Sequence, residues 1–487
     1  MDVTIKSFEQ GAEIAGDILT SGKVKRKVKI GLLTMGYFEY WRMYPELKEK
    51  VSNDIADITK EVLSRFDNVV QSGLVDTLDG ADEAGKLFLR ENVDVVLLVY
   101  GTYMPDFITL AALDYVAHKP LIMFSMQTQE NIDKKGDYQC SLQNSGIIGI
   151  SQFTGTMAKL SRKYSVVVGS KNDARAYDKI AKHMRALQAV IDLKESNIGI
   201  IGHVFRGMYD IELSKTFLKS VFGVNIILIQ SSHLLDIWQE VGEKETLEEC
   251  ARLKKRFKTK HITDTDIFNA VKLAIAMRRI SEKFKLDAMC FLDQHFVQKQ
   301  VLTSARIGAS LLMEQTDMSV NCEGDLGGLV TMMLMRSISG KQPLMAEWGE
   351  YDTELNACML IGHGIGTPDL AASDSEVTLT RTPEEWGFEG AGMNYELIVK
   401  PGAATIAHIM EGVEGYRLLI TPCESLNHKK FNYDELHAFV KVKKPVKEYL
   451  EEIFEFGVSH HCILGMGDIT EELNLAAKFL NIKAFNA

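Results

Sequence analysis

The sequence has no CxxC pair, although seven cysteines are scattered along its 487 residues, at positions 140, 250, 290, 322, 358, 423 and 462. An odd number of widely spaced thiols argues against a disulfide framework and fits free cysteines in a reducing cytosol best. No run approaches the ~18 uncharged apolar residues of a membrane span. The best, Val95–Tyr100, is only strand length. Residues 1–27 alternate acids, bases and glycines without a hydrophobic h-region, so no signal peptide is expected and the cytoplasm is the expected compartment. An excess of basic charge is also missing: 55 Lys+Arg against 66 Asp+Glu leaves a net charge of −11. That balance argues against sequence-independent nucleic-acid binding, which needs cations to release phosphate counterions. It also argues against docking on anionic lipid, which needs polybasic clusters. No internal repeat, GxxxxGK[ST] or GxSxG is present, so solenoid, phosphate-cradle and serine-hydrolase readings have no support.

What is present is a hydrophobic content of 46%, enough for a large core, and a length that gives about three domains as a prior. The first third alternates short aliphatic runs, Val28–Met35, Val93–Tyr100 and Lys119–Met126, with helical patterns over Pro45–Phe66 and Ala81–Asn92. Continuous apolar strands separated by helices imply a parallel sheet covered on both faces. The pattern restarts after Asp192–Asn197. It runs through strand Asn197–Val204, a helix near Met208–Phe222, strand Val224–Gln230, a long helix near Thr263–Phe284 and strand Asp287–Leu292. The last third changes character. Glu376–Arg381, Asn394–Lys400, Ala403–Ile409 and Gly415–Ile420 are short runs between Gly, Pro and Asn, as in an antiparallel barrel or sandwich. Helical and short apolar patterns near Val446–Ile463 and Thr470–Leu480 complete the chain. The expected fold is α/β: two doubly wound α/β domains, 1–194 and 195–341, followed by a mainly antiparallel β domain, 342–487.

Gly362-His363-Gly364-Ile365-Gly366 has glycines like a dinucleotide turn, but Thr367-Pro368 interrupts it and a β-rich segment follows, so a tight backbone turn is expected. Four segments place acids and histidines beside glycines: Glu323-Gly324-Asp325, Glu347, His363 and His460-His461. None forms a local metal motif such as HExxH. Two carboxylates plus two imidazoles nevertheless suit an octahedral divalent ion with open positions, Mn²⁺ being a natural choice. Spacing equally allows a capping acid at Glu323, a surface acid at Glu347 and histidines satisfied by backbone.

The order of Leu312-Met313-Glu314-Gln315, Glu323-Gly324-Asp325, Glu347, Gly362-His363 and Gly457-Val458-Ser459-His460-His461 resembles the L-arabinose isomerase family. That family lies within the L-fucose/L-arabinose isomerase superfamily. Weaker matches run through Tyr100–Pro105, Ser141–Gly155 and Gly202–Met208. The resemblance implies Mn²⁺, or another divalent cation, on Glu323, Glu347, His363 and His461, with Glu323 and Glu347 also as the acid/base pair. His460 is expected to point the other way, as adjacent strand residues do. Asp325 is expected to serve the dipole of a helix start. Tyr103, Gln143 and Phe205 stand at positions of sugar contact. Gly146 stands where the family has a histidine, and Thr34-Met35-Gly36-Tyr37-Phe38 lacks its Gln-His pair, so a differently shaped or longer sugar than L-arabinose is expected. The implied activity moves an aldose carbonyl from C1 to C2 through an enediol, with the metal polarising both oxygens. The implied assembly is a homo-oligomer, trimer or hexamer, in which Tyr103 or Gln143 serves a neighbouring subunit. The partner is a small-molecule sugar. A non-catalytic sugar-binding protein and a metal-dependent hydrolase or lyase on the same ligands are the alternatives.

Overall fold

Five parallel strands order as Val69–Val75, Ile30–Met35, Val95–Tyr100, Leu121–Gln127 and Tyr164–Ser170 in the computed structural model. The model describes residues 25–292, 296–385, 388–389, 392–428 and 435–487. The stretch 1–24, read above as lacking an h-region, lies outside the described residues. The chain forms two compact units, 26–188 and 189–487.

In unit 26–188 the central strands Ile30–Met35 and Val95–Tyr100 are buried along their whole length, as continuous aliphatic runs require. The edge strands Val69–Val75 and Tyr164–Ser170 alternate in burial, so their apolar runs are broken. Helix Pro45–Arg65 starts with proline in its first turn and buries Leu47, Val51, Ile55, Ile58 and Val62 at helical spacing.

Unit 189–487 contains the remaining described sheets: a parallel sheet, an antiparallel barrel and two small ones. Thr378–Arg381 and Met393–Glu396, from runs expected in the barrel, instead form a three-stranded sheet with Lys258–Lys260, and Glu384–Glu385 pairs with Phe388–Glu389. Four parallel strands order as Ser319–Cys322, Ala288–Phe291, Asn197–Ile201 and Asn225–Ile229. The helix expected near Met208–Phe222 starts only at Lys215, where Ser214 accepts the Phe217 N–H as N-cap; turns and bends occupy the preceding residues. Ser214 sets the helix start: in extended conformation, its hydroxyl takes a first-turn N–H that would otherwise lack a partner.

The antiparallel sheet is a barrel. Strands Gly402–Gly412, His461–Met466, Leu344–Asp352, Ala357–Ile361, His437–Lys441 and Gly415–Ser425 pair in that order. The last of these pairs back onto the first, closing the ring. Lys483–Asn486 adds to Gly415–Ser425 in parallel. Closure removes free edges from the six strands. Helix Leu326–Ser339 packs on both the parallel sheet and the barrel, touching Ser319–Cys322 and Ala288–Phe291 as well as Gly402–Gly412 and His461–Met466. The stretch Leu326–Met335, covered in this way, is mainly apolar, whereas Arg336 and Ser337 near the helix end pair with Asp317 and Asp192. Its N-terminus brings the end of the parallel sheet to the barrel. No helix among the described residues is long and apolar enough to cross a membrane, and none of the seven cysteines forms a disulfide.

Candidate metal centre

Glu347 and His461 sit directly opposite one another on paired antiparallel strands, so their side chains share a face. On its other side Glu347 pairs with Ile361, and His363 follows two residues later. The chain there turns sharply, with the Gly364 N–H donating to the Gly362 carbonyl at 2.7 Å and His363 at the apex. The tight backbone turn read from the sequence is therefore present, and it aims His363 at Glu347, with Nε2 3.5 Å from Oε1.

Glu323 arrives from the parallel sheet. It ends strand Ser319–Cys322 in a turn whose two central residues, Glu323 and Gly324, have φ of +62° and +76°. The Cys322 carbonyl accepts from the Asp325 N–H at 3.3 Å, the pattern of a type I′ turn. A non-glycine residue at positive φ is costly and marks a constrained position. Gly324 is needed twice over: for its φ, and because a Cβ there would lie 2.7 Å from the Val204 Cα. The Glu323 carbonyl is pinned by the Phe205 N–H at 2.9 Å. Phe205 is half-buried beside the site, held by its backbone.

These residues converge. His461 Nε2 lies 3.3 Å from Glu323 Oε2, and the rings of His363 and His461 meet edge to face at 5.8 Å. One potential ligand atom each from Glu323, Glu347, His460 and His461 falls within 4.8 Å of the others. Glu323 and His461 are buried, whereas Glu347 and His460 are about a third exposed, so the cluster opens on their side.

Two expectations need correction. His460 does not point away. The strand begins only at His461, so alternation does not govern the preceding residue. The His460 ring lies 4.0 Å from that of His461, with Nε2 3.8 Å from Glu323 Oε2. Asp325 is more than a helix-dipole residue. Its Oδ1 caps helix Leu326–Ser339 through the Gly328 N–H at 2.8 Å. Its Oδ2 bonds to both His461 Nδ1 and His408 Nε2, each at 3.0 Å, in a fully buried position. His408 comes from the neighbouring barrel strand.

The other candidate sugar contacts lie in unit 26–188. Tyr103 follows strand Val95–Tyr100, donates its N–H to Ser145 Oγ (2.8 Å) and donates its hydroxyl to Gln152 (3.1 Å). It meets Tyr37 edge-on at 6.0 Å. Gln143 donates to the buried carboxylate of Asp54 at 2.5 Å, and Lys171 pairs with the same acid at 2.8 Å. Gly146 does not enlarge a pocket by lacking a histidine. A Cβ there would lie 2.4 Å from the Tyr100 carbonyl, so the position faces strand backbone.

Electrostatics hold the cluster in one charge pattern. Against the penalty of burial, the His460 and His461 imidazoles keep the Glu323 carboxyl well below the usual range. His363 does the same for Glu347. Burial opposes a charge on His461, but Asp325 and Glu323 push it up to about 9. For His460, Asp210 and Glu323 likewise overcome burial and raise it to about 10. Both carboxylates are therefore ionised near neutrality. The Nε2 atoms of His363, His460 and His461 are buried with no hydrogen-bond partner. Buried polar atoms without partners are rare, and each calls for one. Nitrogen donors facing two ionised carboxylates fit a divalent cation. The carboxylate on the far nitrogen of His461 is the usual outer support of a metal-binding imidazole.

Sequence reading missed Asp210 and His408. Asp210 lies in an irregular loop and His408 in the barrel, with no local motif around either, so nothing in the sequence singles them out.

No protein-family model matches the chain. It is similar to the sulfoquinovose isomerase of Alkalicoccus urumqiensis, 24% identical over 343 residues that cover 70% of this chain and 76% of that one. It is similar also to the sulfoquinovose isomerases of Priestia aryabhattai and Priestia megaterium, each 21% identical over 395 residues, or 80% of this chain and 85% of theirs. These likenesses support an enzyme of the sugar isomerase class, one that interconverts aldoses and ketoses. They do not single out the L-arabinose isomerases within that class.

Proposed function

We propose that the chain is a divalent-metal-dependent aldose–ketose isomerase, with a sulfonated aldose such as sulfoquinovose as the first substrate to try. The observation that supports the metal is the convergence of Glu323, Glu347, His460 and His461 within 4.8 Å, with His363 beside Glu347 at 3.5 Å. The substrate reading rests on the names of the relatives. The lack of a Gln-His pair at Thr34–Phe38 fits a sugar other than L-arabinose.

In this reading Glu323, Glu347, His363 and His461 hold the divalent cation, with Mn²⁺, which accepts mixed carboxylate and imidazole donors, the first to try. When bound, the cation polarises the sugar's C1 and C2 oxygens and stabilises negative charge that develops there. The chain supplies the proton transfers. A carboxylate of the Glu323/Glu347 pair takes the proton from C2 as the C1 oxygen gains one, giving an enediol. The C2 hydroxyl then gives up its proton to become the carbonyl, and C1 receives one. Both carboxylates are ionised in the folded protein, as a base requires. Asp325 fixes the His461 tautomer and leaves Nε2 to face the cation.

The test is to load the protein with Mn²⁺, supply sulfoquinovose, L-arabinose and L-fucose separately, and follow ketose formation by NMR. The expected result is ketose from at least one, sulfoquinovose first. Binding without conversion would replace this reading with a sugar-binding protein, and bond cleavage would replace it with a hydrolase or lyase.

A further inference from the structure

The segment Ser459-His460 is held more tightly than an ordinary strand entry. Asp210 Oδ2 accepts from the Ser459 hydroxyl at 3.0 Å, from the His460 N–H at 3.1 Å and from His460 Nδ1 at 2.6 Å. From the opposite side, the Trp348 backbone N–H donates to the His460 carbonyl at 3.3 Å, and the Trp348 indole donates to the Ser459 carbonyl at 3.2 Å. With Nδ1 committed to Asp210, the orientation of the ring is fixed. Its Nε2 is buried, makes no hydrogen bond and lies 3.8 Å from Glu323 Oε2, too far to bond to it.

The number of donors bears on what this nitrogen serves. Five protein donors face the same space: one ligand atom each from Glu323, Glu347, His460 and His461 lies within 4.8 Å of the others, and His363 Nε2 lies 3.5 Å from Glu347 Oε1. Under the proposed function four of them, Glu323, Glu347, His363 and His461, would hold the cation, and His460 is the donor left over. We propose that His460 is a substrate-binding residue, its Nε2 hydrogen-bonding a hydroxyl at the reacting end of the sugar, and that Asp210 is the positioning residue that aims it. A sugar hydroxyl both donates and accepts, so the contact works with either form of the imidazole. Because Asp210 belongs to the loop that also supplies Phe205 to the Glu323 carbonyl, that one loop sets both the histidine and the glutamate.

This inference rests on the divalent-cation reading, and its test separates the two. Mn²⁺ affinity is measured by calorimetry, and kcat and KM by ketose formation, for the wild type and for His460→Ala, His460→Gln, Asp210→Asn and His461→Ala. A wild type that binds no Mn²⁺ overturns the cation reading and the inference with it. With Mn²⁺ bound, the expected pattern is specific. His461→Ala loses the metal. His460→Ala keeps Mn²⁺ affinity within about threefold of wild type and loses about 10²-fold in kcat/KM, the scale for one positioned hydrogen-bonding group. His460→Gln, which retains a donor and an acceptor, recovers part of that loss. Asp210→Asn, at an exposed position that leaves the core intact, loses about tenfold with metal binding unchanged, in keeping with the loss of a supporting partner. Loss of Mn²⁺ in both His460→Ala and Asp210→Asn would make His460 a ligand and overturn the inference. Wild-type kcat/KM in His460→Ala would overturn it as well.

Discussion

Replacing Asp325 with asparagine isolates the role of one buried oxygen. Oδ1 caps helix Leu326–Ser339 at Gly328, and asparagine caps about as well as aspartate, so the helix start survives. Oδ2 holds His461 Nδ1 and His408 Nε2, each at 3.0 Å. In Asp325→Asn an NH₂ group faces two imidazole N–H groups, and both hydrogen bonds are lost or must reverse. Hydrogen bonds to a charged group contribute about 1.5–3 kcal/mol each, so the metal-free protein should lose at least about 3 kcal/mol of stability. Losing the outer partner of a ligating histidine typically weakens metal binding ~10–100-fold, or about 1.4–2.7 kcal/mol. Calorimetric titration with Mn²⁺ and thermal melts with and without metal read both quantities. Wild-type Mn²⁺ affinity in a folded Asp325→Asn protein would refute the reasoning, and would return Asp325 to the simple helix-start role that its place in the sequence first implies.

Three further outcomes are expected. Gly324→Ala forces a Cβ into a left-handed residue 2.7 Å from the Val204 Cα. The conformation alone costs about 1–2 kcal/mol, so both melting temperature and Mn²⁺ affinity should fall; unchanged values would contradict the proposed strain. In the metal-free protein, burial opposes a charge on both imidazoles, but Asp325 and Glu323 push His461 up to about 9, and Asp210 and Glu323 push His460 up to about 10, above the ~6.5 of an unfolded histidine. Their stabilising contribution is complete below pH ~6.5 and is lost as pH rises through the folded values. Chelator-treated protein should therefore melt progressively lower from pH 7 to 10, and a flat profile would count against the ion-pair network. Sedimentation should give a trimer or hexamer, the assembly that the family resemblance implies for a site sharing Tyr103 or Gln143 between subunits. Monomer alone would exclude such sharing.

The parts of the fold that the sequence displayed are those where one interaction dominates. Val95–Tyr100 reads as a buried strand because both of its faces are covered, and Pro45–Arg65 reads as a helix because its apolar stripe keeps a helical period. Edge strands Val69–Val75 and Tyr164–Ser170 escaped notice because half their residues meet solvent and a glycine interrupts each run. Leu344–Asp352 escaped for a related reason: its second half is polar, yet that strand carries Glu347 into the cluster. At the site, Glu323, Glu347, His363 and His461 drew attention through their order along the chain; the structure gathers Glu323, Glu347 and His461 with His460, and sets His363 beside Glu347. The direction of His460 was not, since it depends on where the strand begins and on Asp210, 250 residues away. Nor was the second bond of Asp325, whose partner His408 lies 83 residues further on. Long-range pairing of single polar residues leaves no periodic trace.

Hydrogen exchange during turnover tests the central claim most directly. The aldose substrate is incubated in D₂O with wild-type protein, Mn²⁺-loaded and metal-stripped, and with Glu323→Gln and Glu347→Gln, and deuterium at C1 of the ketose is followed by NMR. The account predicts ketose carrying solvent deuterium at C1 from the loaded wild type, none from the stripped protein, and a loss of at least ~10²–10⁴ in rate in either glutamine variant. Ketose formed at an undiminished rate after metal removal, or by either variant, would contradict it.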